Sequence, residues 1–427
     1  MVRTRADGRG IVRWRVLAAA GAALVAAPAV AACSSESGNQ VTVYSAPEQN
    51  FQTVVDNCNK AANGKYEIVY RKLPRGADGQ REQLVRRLAA GDSDLDVLGL
   101  DVTWTAEFAE AGWIEEWTGA DKAEIEDGTL KGPLDTATYN GKLYAAPKNT
   151  NVQLLWYDKT VTPKPPETWA EMIDMAKRLK SEGRPYQIVF TGAQYEGLVV
   201  TYNSLVSSAG GEILSADGKK VVLDEGALKA LEILKEATDS GITHPSLTVS
   251  QEGETQHQFE DKGSEAAFEL NWPFVYPAMK DGNPDRFKNL EWTTYPGIDG
   301  PGKSTIGGNN FAVSALSSKK PQAFEAAKCL RNAENQRFSA INDGVPPTIE
   351  SVYAGDDKEF VDAYPMWETI LDELQDPAVR PQTVVYQNLS TITSKLLSPP
   401  AEIDPQDTIE ELRDGLQKAL ESKGVLP

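Results

Sequence analysis

Three polar segments follow three short apolar runs: Ala46–Asn50, Leu73–Gln80 and Asp101–Trp104. Together they carry Glu48, Asn50, Gln80 and Asp101, with Trp104 close behind the last. A carboxylate accepts hydrogen bonds from two hydroxyls, and a primary amide both donates and accepts. An aromatic face covers the apolar C–H face of a sugar ring. Each of these residues alone would suit a turn or a solvated surface. Three segments in register suit noncovalent capture of a neutral polyol.

Covalent chemistry has little support. There is no G-x-S-x-G elbow. The only histidines, His244 and His257, lie in unrelated surroundings, so neither a His-based triad nor a His-rich metal site is expected. No metal and no cofactor is expected either. With 62 acidic residues, close carboxylate pairs are guaranteed and mean little. Gly297–Ser304 satisfies P-loop spacing, but a working P-loop opens a helix whose N–H groups cradle phosphate. Thr305-Ile-Gly-Gly308 follows instead. A flexible glycine loop is expected there.

The elements that would position the polar segments alternate in type. Val41–Tyr44 alternates like a strand, and Phe51, Val54, Val55, Cys58 and Ala62 recur at helical spacing up to Gly64. Tyr66–Tyr70 reads as a second strand, Gln80–Ala90 as a second helix and Leu95–Leu98 as a third strand. This β-α-β-α-β order predicts parallel strands with right-handed crossovers. Ligands in such sheets bind outside the carboxyl ends of the strands, where the three polar segments lie. Farther on, a helix capped by Thr168 runs to Leu179, and Gln187–Phe190 is strand-like. Helices are expected over 226–240, Pro321–Arg331 and Thr408–Ser422, with a strand at Phe311–Val313.

The N-terminus sets the compartment. Five arginines between Arg3 and Arg15 precede the uncharged run Val16–Ala32 and the junction Val30-Ala-Ala-Cys33. That is a secretory leader, and the small residues before Cys33 resemble a lipobox. Residues 1–32 are read as a lipoprotein signal peptide and 33–40 as a tether. The expected place is the outer face of the cytoplasmic membrane, held by lipid on Cys33. Most of the 427 residues remain after cleavage, ample for two lobes. The chain carries a formal charge of −19, and the leader is its basic part, so nucleic acid is an unsuitable partner. Cys58 and Cys329 form an even pair in an oxidising compartment, either bonded or buried as separate thiols.

One block is specific: Tyr139–Lys159, reading YNGKLYAAPKNTNVQLLWYDK. With Pro165–Trp169, Phe268–Pro273, Gly307–Ser314 and Ser318–Pro321, it resembles the family 1 extracellular solute-binding proteins of sugar ABC importers. The resemblance runs from Val41 to about Leu420. It implies an α/β fold of the two-lobe, type II periplasmic-binding-protein kind. Each lobe would be a mostly parallel sheet flanked by helices, with the ligand between lobes. Lobe I would span 41–149 plus about 305–350, and lobe II 150–304 plus about 351–427. It further implies a non-enzymatic monomer that captures a disaccharide, trehalose first, or a maltose-type or other α-glucoside. The loaded protein would deliver this ligand to ABC permease subunits in the membrane. A secreted glycoside hydrolase or lyase would need a similar cleft and is the alternative. Within the family pattern Asp101 matches the sugar-binding carboxylate and Trp272 the stacking aromatic. Asn151 takes a crossover position where relatives often carry a carboxylate. Gly307 and Gly308 match a close backbone approach to ligand, and Arg380 a late cleft residue. Tyr195 and Glu260 are further candidates from the second lobe.

Overall fold

A computed structural model of the chain describes residues 39–422 apart from 216–217 and 354–355. The leader, the Cys33 junction and most of the tether lie outside the described residues. Eleven strands are present among those described: β1 Gln40–Ser45, β2 Glu67–Lys72, β3 Val97–Asp101, β4 Thr138–Tyr139, β5 Lys142–Leu143, β6 Ala146–Asn151, β7 Leu154–Asp158, β8 Gln187–Val189, β9 Ala266–Asn271, β10 Leu290–Thr293 and β11 Gly307–Val313.

The first lobe is a five-stranded sheet in the order β2-β1-β3-β11-β6. Alternating Val41 and Val43 are fully buried beneath the helix Phe51–Ala62, which contributes Phe51, Val54, Val55 and Cys58 to the same core. Asn63 closes that helix at a left-handed φ of 47°, one residue before Gly64. The second lobe is a four-stranded sheet in the order β10-β7-β9-β8. Leu155 and Tyr157 face one core, while Leu154 and Trp156 face another. Both faces of the strand are covered, which explains the unbroken apolar run Leu154–Tyr157.

Neither sheet is uniformly parallel. β1, β2 and β3 run parallel, but β11 is antiparallel to both β3 and β6. In the second lobe β7 is antiparallel to β10 and β9, and only β8 and β9 run parallel. The physical reason is the connection between lobes. β11 and β7 each arrive from the opposite sheet, so they enter from the cleft side and oppose their neighbours. Val152 and Gln153 join β6 to β7 directly, while the longer connection from β10 passes through the glycine-rich segment and enters β11 by Ser304–Ile306. The second link is braced by Ala378, whose N–H donates to Ser304 O (2.9 Å) and whose carbonyl accepts from Ile306 N (2.8 Å).

A disulfide joins Cys58 to Cys329, tying two helices 271 residues apart in sequence with Cα atoms at 5.8 Å. Thr168 caps the helix Trp169–Ser181 by accepting from Glu171 N at 3.1 Å. Among the described residues no helix is long and apolar enough to cross a membrane.

Two local expectations change. The third strand begins at Val97 and ends at Asp101, because Asp96 is fully buried in a cluster with Thr42, Ser317 and Lys319 rather than running in the ladder. The glycine-rich segment Gly297–Ser304 is tightly packed, not a free loop. A side chain at Gly297 or Gly302 would strike the backbone of Gly300 or Tyr295, and Gly297 exchanges hydrogen bonds with Glu167 and Trp169. A strand rather than a helix follows it, so it lacks the phosphate cradle of a P-loop.

Candidate functional site

The ends of β1, β3, β6 and β9 face a cavity of about 400 Å³ between the sheets. This lies within the roughly 300–1,000 Å³ of small-molecule sites. A larger depression of about 1010 Å³ lies under the Gly297–Lys303 loop, away from these strand ends. The structure brings Glu48, Gln80, Asp101, Asn151 and Trp272 together around the smaller cavity. It adds Arg75, Glu252, Asn309 and Asp343, none of which stands out in the sequence.

The first-lobe wall is held by side-chain partners. Lys148 pairs with Glu48 and lies 3.3 Å from Asn149 Oδ1; the lysine is buried. Asp101 Oδ1 accepts from Thr103 N (3.0 Å) and Thr103 Oγ1 (2.8 Å) and lies 3.4 Å from Arg380. All three contacts fall on one oxygen, so Oδ2 is left to accept from a ligand. Gln80 donates to Arg75 O at 2.9 Å, clamping the loop before the helix Ala77–Ala89. Asn50 does not line the cavity. It grips Asp343 Oδ1 through its amide (2.9 Å) and backbone N–H (3.2 Å), positioning a carboxylate 293 residues away. Asp343 is pushed above the usual carboxylate range, chiefly by burial and also by the nearby Glu48, while Asn50 pulls the other way.

The second-lobe wall is built on β9. Asn271 ends the strand and its amide donates to Glu252 O (2.9 Å) and Glu269 Oε1 (2.7 Å); its Oδ1 accepts from Trp272 N (2.9 Å). That network fixes the backbone before Trp272. Gly307 permits the far edge of the Trp272 ring to approach, since a Cβ there would lie 3.0 Å from Trp272 Cη2. Glu252 opens the helix Glu252–Glu260 beside Trp272. Burial raises its pKa.

The remaining sequence candidates lie around the cavity rather than on it. Gly308 sits at φ 124° with its α-carbon against Asn149 and Thr150, so its close approach is to β6. Tyr195 is buried behind Glu252, folded back over Gly197. Glu260 ends the helix that Glu252 begins, about 12 Å away at 1.5 Å per residue. It contacts Gln256 and His257 instead. Arg380 is buried behind Asp101. Trp104 packs in the first-lobe core against Phe108, with ring centroids 6.4 Å apart.

Four lining residues present buried oxygen atoms that have no partner: Glu48 Oε2, Asn151 Oδ1, Asn309 Oδ1 and Asp343 Oδ2. An unsatisfied buried polar group costs about 1–3 kcal/mol. Four of them around one cavity are satisfied by water or by a ligand that fills it. All four are acceptors, which calls for a donor of several O–H groups. Among the described residues no group of three or more His, Cys, Asp or Glu is arranged to hold a metal.

Known proteins share this fold. Residues 44–337 match the family described as bacterial extracellular solute-binding protein. A probable ABC transporter-binding protein of Deinococcus radiodurans is 27% identical over 360 residues, covering 80% of this chain and 84% of its own length. A putative binding protein of Brucella abortus is 25% identical over 388 residues, covering 85% of this chain and 92% of its own. Among solved structures, maltose-bound MalE3 of T. maritima superposes with a TM-score of 0.80 at 28% identity, over 88% of this chain and 99% of that one. The GacH receptor of Streptomyces glaucescens shares the fold with a TM-score of 0.79 at 21% identity, over 90% and 99% of the two chains. With the family model covering well over half of its residues, the chain belongs to the bacterial extracellular solute-binding proteins, the substrate-capturing components of ABC transporters.

Proposed function

We propose that this protein captures a neutral disaccharide in the cleft and delivers it to an ABC permease, with trehalose first and a maltose-type or other α-glucoside second. The four partnerless oxygens around one cavity carry the reading, because a sugar brings the hydroxyl donors they lack. Trp272 supplies the apolar face that a pyranose ring covers. The solved neighbours include a maltose complex and a receptor described with acarbose, which supports carbohydrate as the ligand class. Trehalose rests on the resemblance to the mycobacterial trehalose-binding lipoprotein LpqY, carried by the N-terminal leader and by Arg380-Pro381 with Tyr386-Gln387. Binding without turnover is the role, and lipid on Cys33 holds the protein at the outer face of the membrane.

A thermal-shift panel tests the ligand class. A ligand that binds only the folded state stabilises it by mass action, by about 2.7 kcal/mol at 100 times its Kd. Trehalose raises the midpoint and glucose 6-phosphate does not. A panel in which no disaccharide moves the midpoint overturns the proposal. For the anchor, Cys33→Ala releases the protein to the medium; an intact Met1 leader on the mature protein contradicts it.

A further inference from the structure

Behind the cavity lies a buried charge chain of which only Asp101 lines the cavity. Glu196 is the first residue of the helix Glu196–Ser208 in the second lobe, and it is 7% exposed. Its carboxylate accepts from Arg380 Nη1 (2.6 Å), from Tyr386 Oη (2.5 Å) and from Ser390 Oγ. All three donors come from residues 380–390. Arg380 itself is 4% exposed and sits on an irregular segment whose neighbours Val379 and Val384 face solvent. No helix or strand sets its direction, so its partners must. The other guanidinium nitrogen, Nη2, donates to Ile306 O (3.3 Å) and reaches Asp101 of the first lobe (3.4 Å). Nε has no partner. Carboxylates from the two lobes therefore share one guanidinium, and the tighter of the two bonds is to Glu196.

An unpaired buried charge is costly, and losing one partner of a buried pair leaves the other uncompensated. Without Glu196, a buried Arg380 keeps only Asp101 as a counter-charge and loses the anchor that aims it. Asp101 is also the carboxylate with a free oxygen at the cavity. Resting on the reading of the cleft as a sugar site, we propose that Glu196 is a positioning residue for it. It lies off the cavity, but it aims Arg380 at Asp101 and so ties the lobes together behind the ligand. A second tie crosses nearby, where Gln387 donates to Asp78 of the first lobe at 3.0 Å. That tie is neutral on one side and bypasses Glu196.

A double-mutant cycle on sugar affinity tests this, because residues acting through one another are non-additive. Glu196→Gln, Arg380→Gln and the double variant are titrated with trehalose and maltose by calorimetry. Each single change weakens binding ten-fold or more, and the double variant binds within two-fold of Arg380→Gln alone. Tyr386→Phe, which leaves the ion pair intact, stays within two-fold of wild type. Should the amide variant not fold, Glu196→Asp keeps the charge with a shorter reach and completes the same cycle. Additive losses in the double variant, or wild-type affinity in Glu196→Gln, overturn the inference while the sugar site stands. A wild-type protein that binds neither sugar overturns both.

Discussion

On the first-lobe wall, every carboxylate at the cavity arrives with a protein partner: Glu48 with Lys148, Asp101 with Thr103 and Arg380, Asp343 with Asn50. On the second-lobe wall, Glu252 forms no ion pair among the described residues and stands next to Trp272, whose ring edge rests on Gly307. The first wall is a pre-set plane of acceptors. The second offers an apolar face and one burial-strained carboxyl. A rigid acceptor plane fixes which hydroxyls are read, while an aromatic face contributes area with little dependence on ring identity. Specificity is therefore expected to reside in the first lobe, and much of the binding energy in Trp272.

Breaking the first wall at its base has the largest effect. Lys148→Met leaves the partly buried Glu48 without its cation and costs about 3 kcal/mol of stability, measured by urea unfolding. On the second wall, Trp272→Ala costs on the order of 2 kcal/mol or more of sugar affinity, as for buried aromatic anchors. The loss should be similar for every disaccharide that binds. Asp101→Ala strands ligand hydroxyls and costs roughly 1–3 kcal/mol. Its loss should differ between trehalose and maltose, and equal losses for both would remove the distinction between the walls. Calorimetry reads both variants.

The second lobe also carries a pH signature. Glu269 lies in the middle of β9, fully buried, with Oε2 unpartnered, and burial pushes its carboxyl up to about 8. Between the unfolded value near 4.5 and about 8, the folded protein holds a proton that the unfolded chain has lost. Stability from this group therefore falls as pH rises through that window, by about 1.4 kcal/mol per unit. Glu269→Gln should flatten the Tm profile between pH 5 and 8; an unchanged slope contradicts the assignment. Smallest is Asn50→Ala, which removes one grip on Asp343 and costs about 0.5–1.5 kcal/mol of affinity, read by the same titration.

The two walls also differ in how legible they are in the chain. The first follows a local rule: strand, polar turn, helix, repeated within residues 40–101. Glu48 and Asp101 fall at strand ends by that rule, and Gln80 in the first turn of the helix that follows the second strand. Asp343 does not, because its link to Asn50 spans 293 residues. The second wall depends on β7 pairing with β9 across more than a hundred residues, and no periodicity announces that partner. Trp272 and Asn151 are legible only through the family pattern. Glu260 is the expected candidate where Glu252 lies at the cavity, because the direction of the helix Glu252–Glu260 decides which end meets the cleft. The capping pattern of Gln251 with Glu254 is a usable signal for that direction. Trp104 shows the opposite error, an aromatic beside a strand end that packs inward on Phe108.

The most direct test is a calorimetric titration of trehalose into the wild-type protein beside a Trp272→Ala, Asp101→Ala double variant that remains folded. Saturable binding by the wild type, with none measurable by the double variant, is the predicted result. Equal binding by both proteins would contradict the placement of the sugar between these two walls.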